Sequence, residues 1–310
     1  MGRSVGSVCK VLREQGVQVA ERTYRAWKRA QPCNRDLTDA VVIDAIRSAR
    51  VNDKGEPTPE AMYGRRKMTA LLHRQGLAVS KRQVDRLMRL LGVNGLVRGK
   101  GTRTTIPDRN AARAPDLLDR DFTAVAPSRR WVADFTYVRT WAGFVYVSFV
   151  IDCYSRAIVG WHGSTIKTTP LVTTALRMAL WRRDRSGHPA PDGLIHHSDA
   201  GSQFTSVSFA ETLALEGIAA SIGSVGDAYD NSLAESTIGL FKNEAIRDGS
   251  PFRNGPLKTI DDVDWVTSGW VDWYNTRRLH STIGDIPPDE YEAAYYATHT
   301  TPHHPVPAPT

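Results

Sequence analysis

Residues 131–164, WVADFTYVRTWAGFVYVSFVIDCYSRAIVGWHGS, are the stretch on which the fold turns. The runs 131–140, 144–154 and 155–164 are rich in β-branched and aromatic residues. Tight turns containing Gly143 and the Ser155-Arg156 pair join them, so the stretch predicts an antiparallel meander of three strands. Downstream the texture becomes helical: residues 170–183 carry Leu171, Ala175, Met178 and Ala179 at helical spacing. A short apolar strand follows at 193–199 (GLIHHSD), ending on a carboxylate. Then come a helix at 206–217, a strand at 218–222, a polar glycine-rich loop at 223–231 and a helix at 232–248. Three strands, then helix, strand, helix, strand and helix, predict a mixed α/β sheet with helices on its faces.

Three carboxylates in this frame stand out. Asp134 sits inside an apolar strand, where an acid is ordinarily avoided. Asp199 ends the fourth strand, at the edge where open α/β sheets hold ligands. Glu235 falls in the first turn of the last helix. Converging at one edge, they suit divalent cations such as Mg²⁺, which prefer carboxylate and water oxygens and in pairs drive in-line phosphoryl displacement. Each acid also has a structural reading. Asp134 can bond to a neighbouring strand and Asp199 can cap the turn after it. Ser232 and Glu235 fit a capping box that only ties down a helix N-terminus. Lys242 favours chemistry, because it follows Glu235 by seven residues on the same helical face, roughly 10.5 Å along the axis. That is too far for an i,i+4 ion pair. Gly239 lies between them and leaves room for a ligand.

Upstream, charge divides the chain. Residues 1–105 hold 22 Lys and Arg against 9 Asp and Glu, whereas 106–310 hold 18 against 24. A basic front third points to a polyanion partner. It contains an imperfect repeat at an offset of 60, VLREQGVQVAERTYRAWKR (11–29) on LLHRQGLAVSKRQVDRLMR (71–89), each reading helix, glycine turn, helix. In the second copy Ser80 is the expected N-cap, and Val84, Leu87, Met88 and Leu91 form the buried stripe. Lys81, Arg82, Gln83, Arg86 and Arg89 remain to face DNA, as a recognition helix does. A small helical bundle with a basic exterior is the alternative. Residues 51–59 read as a polar loop and 99–128 as a linker, with a domain boundary near 128.

Other classes are excluded. No run of 18 apolar residues exists and no signal-like apolar core opens the chain. Cys9, Cys33 and Cys153 are odd in number and far apart, against a disulfide framework or a cysteine zinc site.

WVADFTYV, HHSDAGSQF, GDAYDNSLAES, FKNE and YNTRRLHSTIGDIPPDEY together resemble the DDE transposases of bacterial insertion sequences, specifically the second-frame product of the frameshifting family. The resemblance includes the 35 residues between Asp199 and Glu235. It implies an RNase H-like core similar to retroviral integrases over 129–250, extended by C-terminal helices over 251–298. Two helix-turn-helix regions, at 1–55 and 56–105, and a linker at 106–128 precede the core, and a disordered tail at 299–310 follows it. It further implies Asp134, Asp199 and Glu235 as a catalytic triad holding two Mg²⁺ ions, with Mn²⁺ able to substitute. Lys242 becomes a DNA contact near the element end, and Arg277, Arg278 and His280 further DNA contacts. His196 and His197 are left to the core. The retroviral zinc domain and the upstream leucine zipper are absent, so no zinc is expected and this chain can be half of the working protein, with a shortened start. Expected partners are double-stranded DNA, further copies of the chain and the upstream-frame or frameshift product, in a bacterial cytoplasm at the nucleoid. A DNA-binding regulator without chemistry is the competing function, and a nuclease that hydrolyses without joining is a second.

Overall fold

The computed structural model describes residues 4–97, 116–118, 121–199, 201–223 and 231–299. The expected tail from 300 onward, most of the linker and the loop at 224–230 lie outside these residues.

At the centre, β1 (Arg130–Thr140) and β2 (Gly143–Asp152) pair antiparallel, with Asp134 opposite Phe149. β3 (Ile158–Ser164) pairs antiparallel with β2, its register shifting between Val150 and Ile151. It starts later than the sequence suggests, because Arg156, at φ 68, closes a turn onto the Asp152 carbonyl. β4 (Ile195–Ser198) and β5 (Ala219–Ile222) add in parallel on the other side of β1, giving the order β3-β2-β1-β4-β5. This is the mixed sheet that the resemblance implies.

The pleat sends alternate residues to two cores. Trp131, Ala133 and Val150 meet α6 (Thr169–Arg185) and α7 (Val207–Leu215) through Ala175, Ala179, Phe209 and Leu213. A side chain at Gly160 would collide with the Ala175 carbonyl and Ala179, so this glycine sets how closely α6 lies on the sheet. On the opposite face Val132, Val147 and Phe149 pack on α8 (Ser232–Phe241) and α9 (Ile260–Thr276). Phe149, Phe241 and Trp270 meet there with centroids 5.0–6.0 Å apart.

The helix expected to run to residue 248 is regular only to Phe241. Lys242–Ile246 forms one wider π turn that carries Glu244 and Ala245 inward. α10 (Pro288–His299) closes the core by sending Glu292 to Arg183 of α6.

Both copies of the repeat fold alike. α1 (Val5–Glu14) and α2 (Glu21–Arg29) flank Gly16 at φ 85, and α4 (Arg65–Arg74) and α5 (Lys81–Leu90) flank Gly76 at φ 83. The turn bonds correspond at the same offset: Val17 N to Leu12 O, and Leu77 N to Leu72 O. Left-handed backbone at the helix end is what requires glycine. Ser80 caps α5 by accepting from Gln83 N, as expected. α3 (Asn34–Arg50) buries Val42 and Ile46 in one core with Met68, Leu72, Val84 and Leu87 of α4 and α5. A division between residues 55 and 56 therefore separates α3 from the two helices it packs on.

Candidate active site and DNA-binding surface

The parallel ladder between β1 and β4 ends with Ala133 beside Ser198. Asp134 follows on β1 and Asp199 is the first residue after β4, so the two acids come next after a pair of residues on strands that run about 4.8 Å apart. Both are partly buried. Asp134 Oδ1 accepts the Phe135 N–H at 2.7 Å, and Asp199 Oδ1 accepts the Gly201 N–H at 3.1 Å. The turn-capping expected of Asp199 is therefore real, and a side chain at Gly201 would press on that carboxylate.

α8 brings the third acid. Its N-cap is Asn231, not Ser232, and no capping box forms, so that structural reading of Glu235 does not hold. Asn231 is buried and donates from Nδ2 to the Ala133 carbonyl at 2.9 Å, fastening the start of α8 beside Asp134. Glu235 is exposed in the first turn. Nothing lies within 4 Å of where a Cβ on Gly239 would stand, so the gap between Glu235 and Lys242 is open.

Electrostatics tie these residues together. Burial pushes the Asp134 carboxyl well above the ordinary range, and the charges of Asp199 and Glu235 push it further, while the Phe135 N–H and Lys242 oppose. Burial also raises Asp199, against the Gly201 N–H, Lys167 and His197. Lys242 is pulled down by burial and held up by Asp134, with its ammonium 5.2 Å above the Tyr137 ring. Two partly buried aspartates, with Glu235 close enough for its charge to act on Asp134, are a donor set of the kind hard cations prefer. Among the described residues, however, no three His, Cys, Asp or Glu side chains are gathered closely enough to hold one ion.

The expected DNA contacts divide. Lys81, Arg82 and Arg277 are exposed. Arg86 grips both oxygens of Asp39 on α3 at 2.7 and 2.6 Å, and Gln83 Nε2 donates to the same carboxylate at 3.0 Å. Arg89 pairs with Asp85 at 2.6 Å. Arg278 and His280 are corrections. Arg278 is buried with its guanidinium on Glu244, and His280 is buried with Nε2 3.2 Å from the Tyr274 carbonyl, so neither side chain is available to DNA. In the same motif Asn275 bonds both Ile158 N and O at 2.9 Å, fixing the end of α9 to β3. His196 packs against Phe204 and Phe209, and His197 Nδ1 meets Ser221 Oγ at 2.8 Å, so both serve the core.

Sequence reasoning missed Lys167, Asn231 and the buried cluster of Asp152, Arg183 and Glu292. Arg183 lies 3.2 Å from Asp152 and donates to both Glu292 oxygens. An acid inside the apolar run of β2 was the available signal for Asp152. Lys167 and Asn231 lie in polar connections, where residue type alone marks nothing.

Residues 124–228 and 216–288 match models of an integrase core domain, and residues 36–101 match an HTH-like domain. A protein of Mycobacterium tuberculosis named as a transposase for insertion sequence element IS986/IS6110 is 45% identical over 284 residues, covering 92% of this chain and 98% of the relative. The transposase of IS629 from Shigella sonnei is 46% identical over 237 residues, 76% of each chain. Among solved structures, a chain of a simian T-cell lymphotropic virus intasome aligns at TM-score 0.45 and 16% identity, over 80% of this chain and 75% of that one. No described helix is long and apolar enough to cross a membrane. With an HTH-like unit ahead of an integrase core, and relatives of this identity along nearly its whole length, the chain belongs to the family of insertion-sequence transposases.

Proposed function

We propose that Asp134, Asp199 and Glu235 form the catalytic centre for cutting DNA strands at the ends of an insertion sequence and joining the freed 3′ end to target DNA. The observation that carries this reading is geometric: Asp134 within β1 and Asp199 just after β4 follow the last paired residues of adjacent parallel strands, and Asn231 fastens the start of α8, which carries Glu235, to Ala133. Divalent cations bound there, Mg²⁺ or Mn²⁺ and two by analogy with paired-ion sites, would offset the carboxylate repulsion and polarise the attacking and leaving oxygens. Glu235 approaches the two aspartates on loading, since the described arrangement is not gathered around one point. Asn231 keeps α8 seated on β1 while that happens. Lys242 holds a phosphate next to the reacting one, in the space that Gly239 leaves open. Lys81, Arg82 and Arg277 contact the duplex, and Gln83, Arg86 and Arg89 complete the face of α5. Assembly of several copies on paired ends, with an upstream-frame partner, belongs to the same proposal.

The test is strand cleavage and joining on labelled DNA carrying the element's own ends, with Mg²⁺ or Mn²⁺ at low salt, comparing the chain with Glu235→Gln. Metal-dependent products that vanish in the variant support the proposal. DNA binding without products in either protein overturns it in favour of a regulator.

A further inference from the structure

Beyond Ala133, β1 has no described strand on its β4 side, and past Tyr137, opposite the last β2 residue paired with β3, it continues with β2 as a two-stranded arm. Three aromatic side chains on this arm are exposed: Tyr137 at 41%, Phe144 at 51% and Trp141 at 73%. Tyr137 and Phe144 meet edge to face with centroids 5.4 Å apart. Lys242 stands 5.2 Å over Tyr137, Lys258 stands 5.5 Å over Trp141, and Arg139 is exposed between them. Residues 135–151 contain no acid.

The arm is held firmly. Trp141 N and Ala142 N donate to the carbonyls of Leu257 and Lys258 at 3.1 and 3.0 Å. Thr140 Oγ1 donates to the Gly143 carbonyl at 2.8 Å, and Gly143 takes φ 125 to make the turn. Trp141 is thus exposed on a rigid tip. At about 3.3 Å per residue, Tyr137 lies roughly 10 Å and Trp141 roughly 23 Å along the strand from Asp134.

We propose that Tyr137, Phe144 and Trp141, with Arg139, Lys242 and Lys258, form a stacking platform for unpaired nucleotides of a DNA end whose cleavage point lies at Asp134. The inference rests on the reading of Asp134 as part of the catalytic centre. Rings interleaved with cations are what single-stranded nucleic acid requires, since every base offers a face to stack and every phosphate a charge to neutralise. A purely apolar patch would suit another protein, but one whose strands carry no acid between residues 135 and 151 and whose rings are covered by cations is complementary to a polyanion, with Asp262 beside Lys258 bonding the Lys258 and Thr259 N–H groups. The rigid tip also lowers the entropy lost on binding.

The experiment uses the full chain and two probes: a duplex with a short oligothymidylate tail, and the same duplex with blunt ends. Affinities are read by fluorescence anisotropy at fixed low salt for the wild type, Trp141→Ala, Phe144→Ala and Trp141→Phe. The alanine variants should lose about tenfold in affinity for the tailed probe per stacked base, with the blunt probe unchanged, and Trp141→Phe should retain binding. Iodouracil placed in the tail should crosslink to Tyr137, Phe144 or Trp141. Because these side chains are exposed, both alanine variants should melt like the wild type. Tail affinity equal to wild type in both alanine variants overturns the inference. So does a change in self-association without a change in tail affinity, since the arm is then an interface between copies. Cleavage that depends on Glu235 alongside either result leaves the proposed chemistry intact. A tail effect in a protein that never cuts sinks the chemistry and keeps the platform.

Discussion

The Arg278 guanidinium lies fork-on against Glu244, with Nη2 to Oε1 at 2.6 Å and Nε to Oε2 at 2.9 Å. Trp270 Nε1 closes on the same carboxylate at 3.2 Å. Both charged partners are buried. The pair joins the π turn after α8 to the chain leaving α9, and the adjoining Leu279 N–H donates to the Tyr63 hydroxyl at 3.0 Å, which brings in the helix-turn-helix unit. Arg278 is therefore an internal tie, although its sequence neighbour Arg277 faces solvent.

Removing one partner of a buried ion pair leaves the other charge uncompensated. Arg278→Ala should cost about 3–5 kcal/mol in urea unfolding. Arg277→Ala should leave stability unchanged, weaken DNA binding and reduce the salt slope by about one. Normal stability in Arg278→Ala would show that the pair is not holding the two segments together.

Asn231 fastens α8 to the strand that carries Asp134. In Asn231→Ala the Ala133 carbonyl loses its donor, at a cost of about 1–3 kcal/mol. Metal-dependent cleavage should fall more than DNA affinity, because Glu235 is then poorly placed while the basic surface is intact. Parallel measurements of cleavage and binding check this, and equal losses in both would count against a positioning role.

Asp39 orients Arg86 and Gln83 on the face of α5, and those bonds hold its own carboxyl below the usual range. Asp39→Asn should remove a negative charge from the surface proposed to face DNA and free Gln83 and Arg86, the two side chains it holds there. Total affinity should hold or rise, while discrimination between element-end and random DNA should fall by about tenfold or more. The ratio of the two dissociation constants is the measurement, and a higher ratio than wild type would contradict the role given to Asp39.

His196 provides a pH dependence. Burial among Phe204 and Phe209, with the His197 charge adding to it, pulls its pKa down to about 4. A histidine depressed in the folded state contributes stability that is fully present above the unfolded value of about 6.5 and is lost as pH falls toward 4. The loss over that window should approach about 3 kcal/mol. His196→Leu should flatten the profile, read as unfolding midpoints at pH 7 and pH 5; a profile as steep as wild type would assign the acid sensitivity elsewhere.

Local pattern was enough for much of this protein. The meander at 131–164, the glycine turn repeated at an offset of 60 and the Ser80 cap depend on neighbours a few residues away. They formed as read, apart from the later start of β3. The three acids were legible for a related reason, since an acid inside an apolar strand, at a strand end or in a first helical turn is conspicuous against its immediate surroundings.

Long-range pairing decided the rest. Glu244 and Arg278 are 34 residues apart, and Asp39 lies 44 and 47 residues from Gln83 and Arg86. A basic residue in a polar segment reads the same whether it faces solvent or a carboxylate brought from elsewhere, so the sequence could not separate Arg277 from Arg278. By itself the sequence determined the strands, the helix-turn-helix and the acids with their 35-residue spacing, because propensity, periodicity and local contrast are properties of short segments. Only the tertiary structure decided that Asn231 rather than Ser232 caps α8, that the helix widens at Lys242, and which arginines are sealed in ion pairs. Those outcomes depend on which distant groups share one desolvated space, where an unpaired charge is too costly to leave and a charge both buried and paired, as at Arg278, is no longer free to bind DNA.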